Sequence, residues 1–281
     1  MQRVRSIPVP SSRASKAISP RVGQWAASIL LTLAVARCWG AEAAGEEGPS
    51  SIGREQGPLG ITGPNQGVPE GVYDEVVAVV AKGELRCTGV LVASDAVLTA
   101  RHCLPASEVY LGTRADRPRH RRDVVRTIGH PDPRFDVALL FLGQPLPAQP
   151  RALRPAAGSL LPVGQATLIG YGSTSVYGRG GEGRKRVTWV HLAGWGCDGA
   201  RVHTAECDPD AEMVIPRFAG RDTCSGDSGA PVFETMQDRS ERVLAIVSRG
   251  IPSRRQTCGQ GGIYVRADRI ATWVTSALQA R

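Results

Sequence analysis

The chain has 281 residues, 42% of them hydrophobic and 21% charged, which is typical of a globular protein of one large or two small domains. Its 33 glycines and 20 prolines, against 5% aromatic residues, indicate many turns. The formal net charge is +8, but no aromatic side chains are interleaved with the basic runs at 117–122, 184–186 and 254–255. We therefore interpret these runs as solvated loops and expect no nucleic-acid partner or polyanion site.

The N-terminal 43 residues have the three-part pattern of a secretory signal peptide. A polar, basic stretch leads into an apolar run at 25–36, and small residues follow at Ala41 and Ala43. This run is shorter than the ~20 residues that a membrane-spanning helix needs. We predict export, with cleavage after Ala43 or less favourably after Ala36, and no stable membrane association of the mature protein.

Seven cysteines in an exported chain imply disulfides and one unpaired thiol. Cys38 would be removed with the signal peptide. The other cysteines form no Cys-x-x-Cys pair, and no histidine lies at zinc-ligand spacing from two of them, so we assign no metal ligand and no cofactor. Their spacing alone does not decide which of them pair. They are Cys87, Cys103, Cys197, Cys207, Cys224 and Cys258.

A stretch rich in Gly, Pro, Glu and Gln follows the signal peptide and shows almost no apolar periodicity. It predicts an extended pro-segment at 44–60, followed by a folded domain at 61–281. From Val72 onward, short apolar runs rich in Val and Ile are broken by turn residues, which favours strands over helices.

A Pro- and Ala-rich connector at 144–163 separates two sets of such runs. The runs are 76–81, 85–92, 96–100, 109–112, 124–128 and 137–142, then 166–171, 186–193, 213–216, 230–234, 243–248 and 262–265. They predict two strand-rich halves, at about 61–143 and 163–267, each with enough strands for a small barrel. Ile270 and Leu278 belong to a helical repeat behind Asp268, which predicts one C-terminal helix at 268–280.

The octet at 224–231, Cys-Ser-Gly-Asp-Ser-Gly-Ala-Pro, places glycines before and after the Asp227-Ser228 pair. Glycine permits positive φ and close backbone approach, so such a turn would expose the Ser228 hydroxyl. The same residue types also form ordinary surface turns. The octet alone therefore does not decide between a nucleophile and a turn.

A histidine and an aspartate are candidates for the base and the carboxylate that a nucleophilic serine would need. His102 follows an apolar strand and precedes Cys103, although His120, His130, His191 and His203 compete for the function of a base. Asp136 begins an apolar run, and an imidazole N–H would satisfy it, since burying an unpaired carboxylate is costly. Asp123 and Asp132 are rival carboxylates, of which Asp132 lies between two prolines in a predicted turn.

These segments resemble the three catalytic motifs of the trypsin-like serine proteases, which have the chymotrypsin fold. The matching segments are Thr99-Ala100-Arg101-His102-Cys103, Asp136-Val-Ala-Leu-Leu140 and Gly226-Asp-Ser-Gly229. Their chain order, His then Asp then Ser, differs from that of α/β hydrolases, in which the serine comes first. The resemblance covers residues 61–281 and implies an all-β fold of two packed six-stranded antiparallel β-barrels with a C-terminal α-helix.

The resemblance also implies a function for each member of these motifs. Ser228 would be the nucleophile, His102 the general base, and Asp136 the carboxylate that orients His102. The backbone N–H groups of Gly226 and Ser228 would form the oxyanion hole. The protein would then be a secreted serine endopeptidase, extracellular or periplasmic, that acts on proteins or peptides as a monomer.

Asp222 lies six residues before Ser228, where the family has the base of its primary pocket. A carboxylate there would select Arg or Lys before the scissile bond by a charge-assisted contact, and an ordinary loop carboxylate is the alternative. Ser248, Gly250 and Gly262 correspond to the pocket walls of the family.

Two residues near the pocket depart from the family pattern. Arg249 replaces an aromatic residue and, with the loop arginines, would repel cationic substrates or favour acidic residues further upstream. Ala230 replaces a common glycine, so its Cβ would be strained if the position needs a positive φ.

The segment Ile61-Thr-Gly-Pro resembles the Ile-Val-Gly-Gly start of activated family members. In these, a cleavage frees an α-amino group, which inserts beside the aspartate before the nucleophile, here Asp227. Gly60 stands where Arg or Lys is usual, so either another protease makes this cut or activation differs. The resemblance further implies the disulfides Cys87–Cys103 and Cys224–Cys258, which leaves Cys197 and Cys207 as a third pair.

Two other functions remain open on the sequence. One is a catalytically silent homologue that binds a partner through its basic loops. The other is a serine endopeptidase of non-tryptic or broad specificity. The three intact motifs favour an enzyme over the silent homologue.

Overall fold

The computed structural model describes residues 61, 65–156, 163–193, 196–197, 206–216, 221–251 and 256–280. The predicted signal peptide and its cleavage site, the pro-segment with Gly60, His203 and the basic run at 254–255 lie outside the described residues. Across the ranges that are described, no helix is long and apolar enough to cross a membrane.

The first half of the domain contains a two-residue strand, β1 (Gln66–Gly67), and a closed six-stranded antiparallel barrel. The barrel strands are β2 (Val76–Ala81), β3 (Glu84–Ala93), β4 (Ala96–Thr99), β5 (Glu108–Leu111), β6 (His120–Gly129) and β7 (Ala138–Leu142). Each of the six predicted runs overlaps one of them, with ends that agree to within two residues except at the start of β6. Val77, Val79 and Leu140 belong to the buried cluster inside the barrel, because β-branched and leucine side chains pack well on a curved sheet.

The second half is a seven-stranded antiparallel sheet, in the order β1-β9-β8-β11-β12-β13-β10. Its own strands are β8 (Val163–Gly170), β9 (Arg186–Ala193), β10 (Glu212–Pro216), β11 (Pro231–Thr235), β12 (Glu241–Gly250) and β13 (Gly261–Arg266). The all-β, chymotrypsin-like fold is confirmed, with one closed six-stranded barrel and a second half whose six strands form one sheet together with β1 at its edge. The N–H of Val214 donates to the carbonyl of Gly196 at 3.3 Å, which brings β10 back towards the chain after β9.

The chain ends in helix α1 (Ala267–Gln279), one residue earlier than predicted at its start. Ile270 and Val274 form its buried stripe, as the spacing predicts. Asp268 in the first turn accepts hydrogen bonds from Arg266 at 3.1 and 2.8 Å. An acidic residue at this end also complements the helix dipole.

The two halves pack against each other through one apolar cluster. Leu98 and Leu139 of the barrel share it with Ile169, Phe233 and Val243 of the second sheet. The turns at the ends of β4, β11 and β12 therefore meet at the seam between the halves, and this seam carries the candidate site.

Candidate active site

His102 lies in a 3₁₀ turn, Arg101–Cys103, directly after β4. The disulfide between Cys103 and Cys87 ties this turn to β3. Two atoms of His102 contact the same carboxylate: the backbone N–H donates to Asp136 Oδ1 at 3.0 Å, and Nδ1 lies 2.7 Å from Asp136 Oδ2. The second contact needs the proton on Nδ1, so Nε2 of the neutral ring is left as an acceptor.

Asp136 precedes β7 and is more buried than its histidine partner, with 23% of its side chain exposed against 49%. Its Oδ2 also accepts a hydrogen bond from Ser248 Oγ at 2.7 Å. Burial raises the pKa of Asp136, but the hydrogen bonds from His102 and Ser248 outweigh it and hold the pKa below its ordinary value. The carboxylate is therefore ionised at neutral pH.

The rival carboxylates have other neighbours. Asp132 binds the Arg134 side chain and backbone, at 2.7 and 3.0 Å, and Asp123 is an exposed residue of β6. His130 is buried, with ring centroids 4.5 Å from Phe135 and 4.8 Å from Trp273, and burial lowers its pKa. His130 therefore contributes to packing.

The turn around Ser228 depends on two glycines with positive φ, Gly226 at 95° and Gly229 at 81°. A Cβ on Gly229 would lie 2.1 Å from Thr99 Oγ1 and 2.3 Å from the carbonyl of Thr88, so the turn fits only because this residue has no side chain. Ala230 is fully buried and is not among the residues with positive φ, so the strain expected there does not arise.

The peptide group between Ser225 and Gly226 has a fixed orientation. The carbonyl of Ser225 accepts a hydrogen bond from the N–H of Ser173 at 2.7 Å. Because a trans peptide points its C=O and N–H in opposite directions, the Gly226 N–H faces away from Ser173. Within the described part of the chain, the N–H groups of Gly226 and Ser228 have no backbone acceptor. Both are free to bind an anionic oxygen.

Asp227 is completely buried behind this turn. It accepts hydrogen bonds from the N–H groups of Gly172 at 2.8 Å and Cys224 at 3.0 Å. Burial raises the pKa of Asp227 to about 7 against these hydrogen bonds. A Cβ on Gly170 or Gly172 would lie 2.0 or 2.4 Å from a carboxylate atom of Asp227, so these glycines form its cradle.

Ile61 is buried in the core of the second half, in one cluster with Leu168, Met213 and Val232. Its φ is 39°, a conformation that β-branched residues rarely adopt. The residue expected to begin the activated chain thus already packs inside the second half.

Asp222 is buried, with 3% of its surface exposed. It accepts hydrogen bonds from the backbone N–H groups of Thr223 at 2.8 Å, Gly259 at 2.7 Å and Gly261 at 3.0 Å. Burial raises its pKa, and these hydrogen bonds oppose the rise. The carboxylate is therefore built into the loop that precedes β13.

A pocket of about 730 Å³ joins these groups. Its lining includes His102, Asp136 and Ser228, together with Thr223, Cys224, Ser248, Gly250 and Cys258, with the Cys224–Cys258 disulfide in the wall. Asp222 and Gly262 are not among its lining residues, and a Cβ on Gly262 would lie 3.0 Å from the Tyr264 ring. The lining also includes the charged residues Arg101, Arg134, Glu206, Asp208, Glu212 and Arg249.

Arg249 is paired, which the sequence did not predict. Its guanidinium forms a bidentate ion pair with Glu212, which is 3% exposed, and also donates to the carbonyl of Glu206 at 2.9 Å. Glu212 lies on β10, which pairs with β13, and β13 in turn pairs with β12, so one strand separates Glu212 from the strand of Arg249. The expected repulsion of cationic substrates by Arg249 is therefore reduced by a carboxylate that only the sheet order brings near.

The third disulfide, Cys197–Cys207, closes the loop that precedes β10. The structure thus contains the two disulfides implied by the resemblance and the third pair that was left by elimination. They fix the histidine turn, the pocket wall and the loop that carries Glu206 and Asp208, each of which supplies pocket-lining residues.

A closed six-stranded barrel, a second packed sheet and a Ser, His and Asp brought to one pocket define a class of serine hydrolases. Residues 66–274 match the family model described as Trypsin, and the chain belongs to the trypsin family.

The chain is 28% identical to glucanase inhibitor protein 4 of Phytophthora infestans over 210 residues, which cover 68% of this chain and 79% of that protein. It is also 28% identical to vitellin-degrading protease of Bombyx mori over 221 residues, covering 70% and 78%. Serine proteinase stubble of Drosophila melanogaster is 27% identical over 211 residues, covering 67% of this chain and 27% of that protein.

Proposed function

We propose that this protein is an exported serine endopeptidase with Ser228, His102 and Asp136 as its catalytic residues. The single observation that carries the proposal is the two-point contact of His102 with Asp136, 3.0 Å at the backbone and 2.7 Å at Nδ1, in the pocket that Ser228 also lines. This contact fixes the tautomer in which Nε2 accepts a proton.

In the proposed reaction, Ser228 Oγ attacks the substrate carbonyl while His102 Nε2 takes the hydroxyl proton. The N–H groups of Gly226 and Ser228 bind the resulting oxyanion, and loss of one such donor typically costs about 3 to 4 kcal/mol of transition-state stabilisation. His102 then returns the proton to the leaving amine, which leaves an acyl-enzyme. Water deprotonated by His102 hydrolyses the ester and restores Ser228.

The proposed specificity is for Arg or Lys before the scissile bond, selected by Asp222. The backbone N–H groups of Thr223, Gly259 and Gly261 hold this carboxylate in place. A cation that reaches it would gain a charge-assisted contact in a partly desolvated slot. Ser248 and Gly250 line the adjoining pocket.

Activation is proposed to follow a cut between Gly60 and Ile61 by another protease, within a chain organised as a signal peptide to residue 43, a pro-segment at 44–60 and a protease domain from 61. The freed amine would give the buried Asp227 its cationic partner. Cutting this bond would also release the strained φ of 39° at Ile61. The three disulfides support an oxidising, extracellular or periplasmic location.

A second candidate function is a non-catalytic binding protein that inhibits another enzyme. The observation that favours it is the 28% identity to a protein named as a glucanase inhibitor. The complete His102, Asp136 and Ser228 arrangement favours the protease.

One experiment tests both. The full chain, with an enteropeptidase recognition sequence in place of residues 56–60, is cut to begin at Ile61 and offered peptides with Arg, Lys, Leu or Phe before a reporter amide. We expect hydrolysis after Arg and Lys that Ser228→Ala abolishes. Hydrolysis after Leu or Phe alone would refute the function of Asp222. A lack of any Ser228-dependent hydrolysis, together with inhibition of a glucanase by the same protein, would establish the second candidate.

A further inference from the structure

Arg249 is linked to the carboxylate of Asp136 through one side chain. Ser248 Oγ donates to Asp136 Oδ2 at 2.7 Å, and the Arg249 guanidinium approaches the same Ser248 Oγ at 3.4 Å. A hydroxyl that accepts from a cation on one side is a better donor on the other, because hydrogen bonds in a chain polarise one another. The negative charge of Asp136 is also one of the causes that raise the pKa of Arg249, after the ion pair with Glu212.

Glu212 holds Arg249 in this place. Its two carboxylate oxygens bind the two terminal nitrogens of the guanidinium, the second at 2.9 Å, and Oε2 also accepts the N–H of Asp208 at 2.9 Å. The Glu212 side chain is 3% exposed, whereas the Arg249 side chain is 40% exposed and lines the pocket. A buried carboxylate with a bidentate partner sets the direction of a guanidinium, since both groups are planar.

The charged groups around His102 and Asp136 come from several elements. Arg101 belongs to the histidine turn and donates to the carbonyl of His130, and Arg134 lies in the loop before β7. Arg134 is neutralised by Asp132 at 2.7 Å and lies 3.6 Å from Asp208. On the second sheet, the charges that face the pocket are those of Arg249 and Glu212, with Glu206 and Asp208 in the preceding loop.

We propose that Arg249 and Glu212 act as a positioning pair for the catalytic residues, aligning Ser248 on Asp136 and balancing one positive against one negative charge in the pocket that His102 also lines. This inference rests on the proposed function for its kinetic readout. The pair keeps Ser248, which lies on the second sheet, directed at Asp136 of the first half. It also explains why a charged residue is tolerated in the cleft wall.

If the pair acts in this way, removing its positive charge and removing its negative charge should shift the kcat/KM–pH profile in opposite directions. The base must be unprotonated to accept the Ser228 proton, so a nearby cation moves the acidic midpoint of the kcat/KM–pH profile down and a nearby anion moves it up. Arg249→Gln removes the cation, and we expect its midpoint to rise by a few tenths of a pH unit. Glu212→Gln leaves the cation unbalanced, and we expect its midpoint to fall. The double variant should return towards the parent midpoint.

A third variant separates the effect of the Arg249 charge from the effect of its bidentate geometry. Arg249→Lys keeps the charge but loses the bidentate fork, so we expect an unchanged midpoint and a several-fold lower kcat/KM. Arg151 and Glu75 supply the matched control, because they form another ion pair between a partly exposed arginine and a buried glutamate, with Nε at 2.9 Å, outside the catalytic pocket. Arg151→Gln should leave the profile unchanged.

A second readout does not need activity. The full chain carrying Ser228→Ala and ¹⁵N-labelled histidine is titrated by NMR, following the His102 ring with each Arg249 and Glu212 variant. We expect the NMR titration midpoints to shift in the same opposite directions. Because this readout does not depend on activity, a protein without hydrolytic activity would refute the proposed function and still allow the pair to be tested. Shifts of the same sign, no shift in either variant, or an equal shift in Arg151→Gln would overturn the positioning pair.

Discussion

The backbone N–H of Thr88 donates to the carbonyl of Ser228 at 2.9 Å, across the seam between the halves. The side chain of Thr88 adds two bonds on the same side: Oγ1 donates to the carbonyl of Gly226 at 2.8 Å and accepts the N–H of Tyr171 at 3.1 Å. Thr88 on β3 of the first half therefore fixes the turn that carries Ser228, which belongs to the second half.

Thr88→Val tests this connection. The isosteric change removes both bonds of Oγ1 and leaves the Gly226 carbonyl and the Tyr171 N–H unsatisfied, which costs about 1 to 3 kcal/mol each in a buried site. We expect a loss of stability on this scale and a kcat roughly tenfold lower with a smaller change in KM, because the turn presents the oxyanion donors. Thr88→Ser keeps the hydroxyl and is the control. Equal kinetics for the Val and Ser variants would contradict the assignment.

The uncut chain should be less stable at neutral than at acidic pH because of Asp227. Its folded pKa of about 7 exceeds the ordinary value of 3.8, so the folded state binds the extra proton between these limits. The unfolding free energy therefore falls as pH rises through this window, by up to about 4 kcal/mol. Urea unfolding between pH 4 and about 7 measures it.

The fall of the unfolding free energy with pH should vanish in Asp227→Asn, because the asparagine side chain does not titrate. It should also shrink in the chain that begins at Ile61, if the freed amine pairs with the carboxylate. A uniform slope in all three proteins would show that another group is responsible.

Lys185 should have the opposite effect to Asp227 and make the free energy of unfolding rise with pH in the alkaline range. It is fully buried, donates to the carbonyl of Tyr73 at 2.7 Å and lies 5.6 Å from the Tyr171 ring centre. Burial lowers its pKa from 10.5 to about 8. Between these values the unfolded state binds more protons, so the unfolding free energy should rise with pH. Lys185→Met should abolish the rise, and a persistent rise in that variant would assign it elsewhere.

Asp222→Asn tests the base of the pocket. The amide keeps one acceptor for the Gly259 and Gly261 N–H groups but loses the charge that a cationic substrate needs. We expect kcat/KM for Arg and Lys substrates to fall roughly 100-fold or more, with a smaller change for Leu and Phe substrates. Parallel losses for all four would instead indicate that the carboxylate supports only the loop before β13.

Much of the fold was predictable because its signals are local. Runs of Val and Leu define the barrel strands, and the segments around His102, Asp136 and Ser228 each carry their own pattern. The two-residue β1 has too little sequence to form a pattern, and its place at the edge of the second sheet comes from its pairing with Val187 and Arg186.

The pair formed by Arg249 and Glu212 could not be predicted for a different reason. The two residues are 37 positions apart, and their contact depends on the sheet order that sets β10 beside β13. Asp222 was identified from its position six residues before Ser228, but the backbone N–H groups that bind it, including those of Gly259 and Gly261, are set by the folded loop. Ala230 was expected to be strained because the sequence does not give its φ.

The contact of Gly229 with Thr88 and Thr99 has a further consequence. The second half places Ser228 against the first, while Ser248 of the second half donates to Asp136 of the first at 2.7 Å. Residues of both halves therefore make up the candidate site. A fragment holding one half alone would lack part of the pocket and part of the proposed catalytic set, so the proposed catalysis requires the two halves docked together.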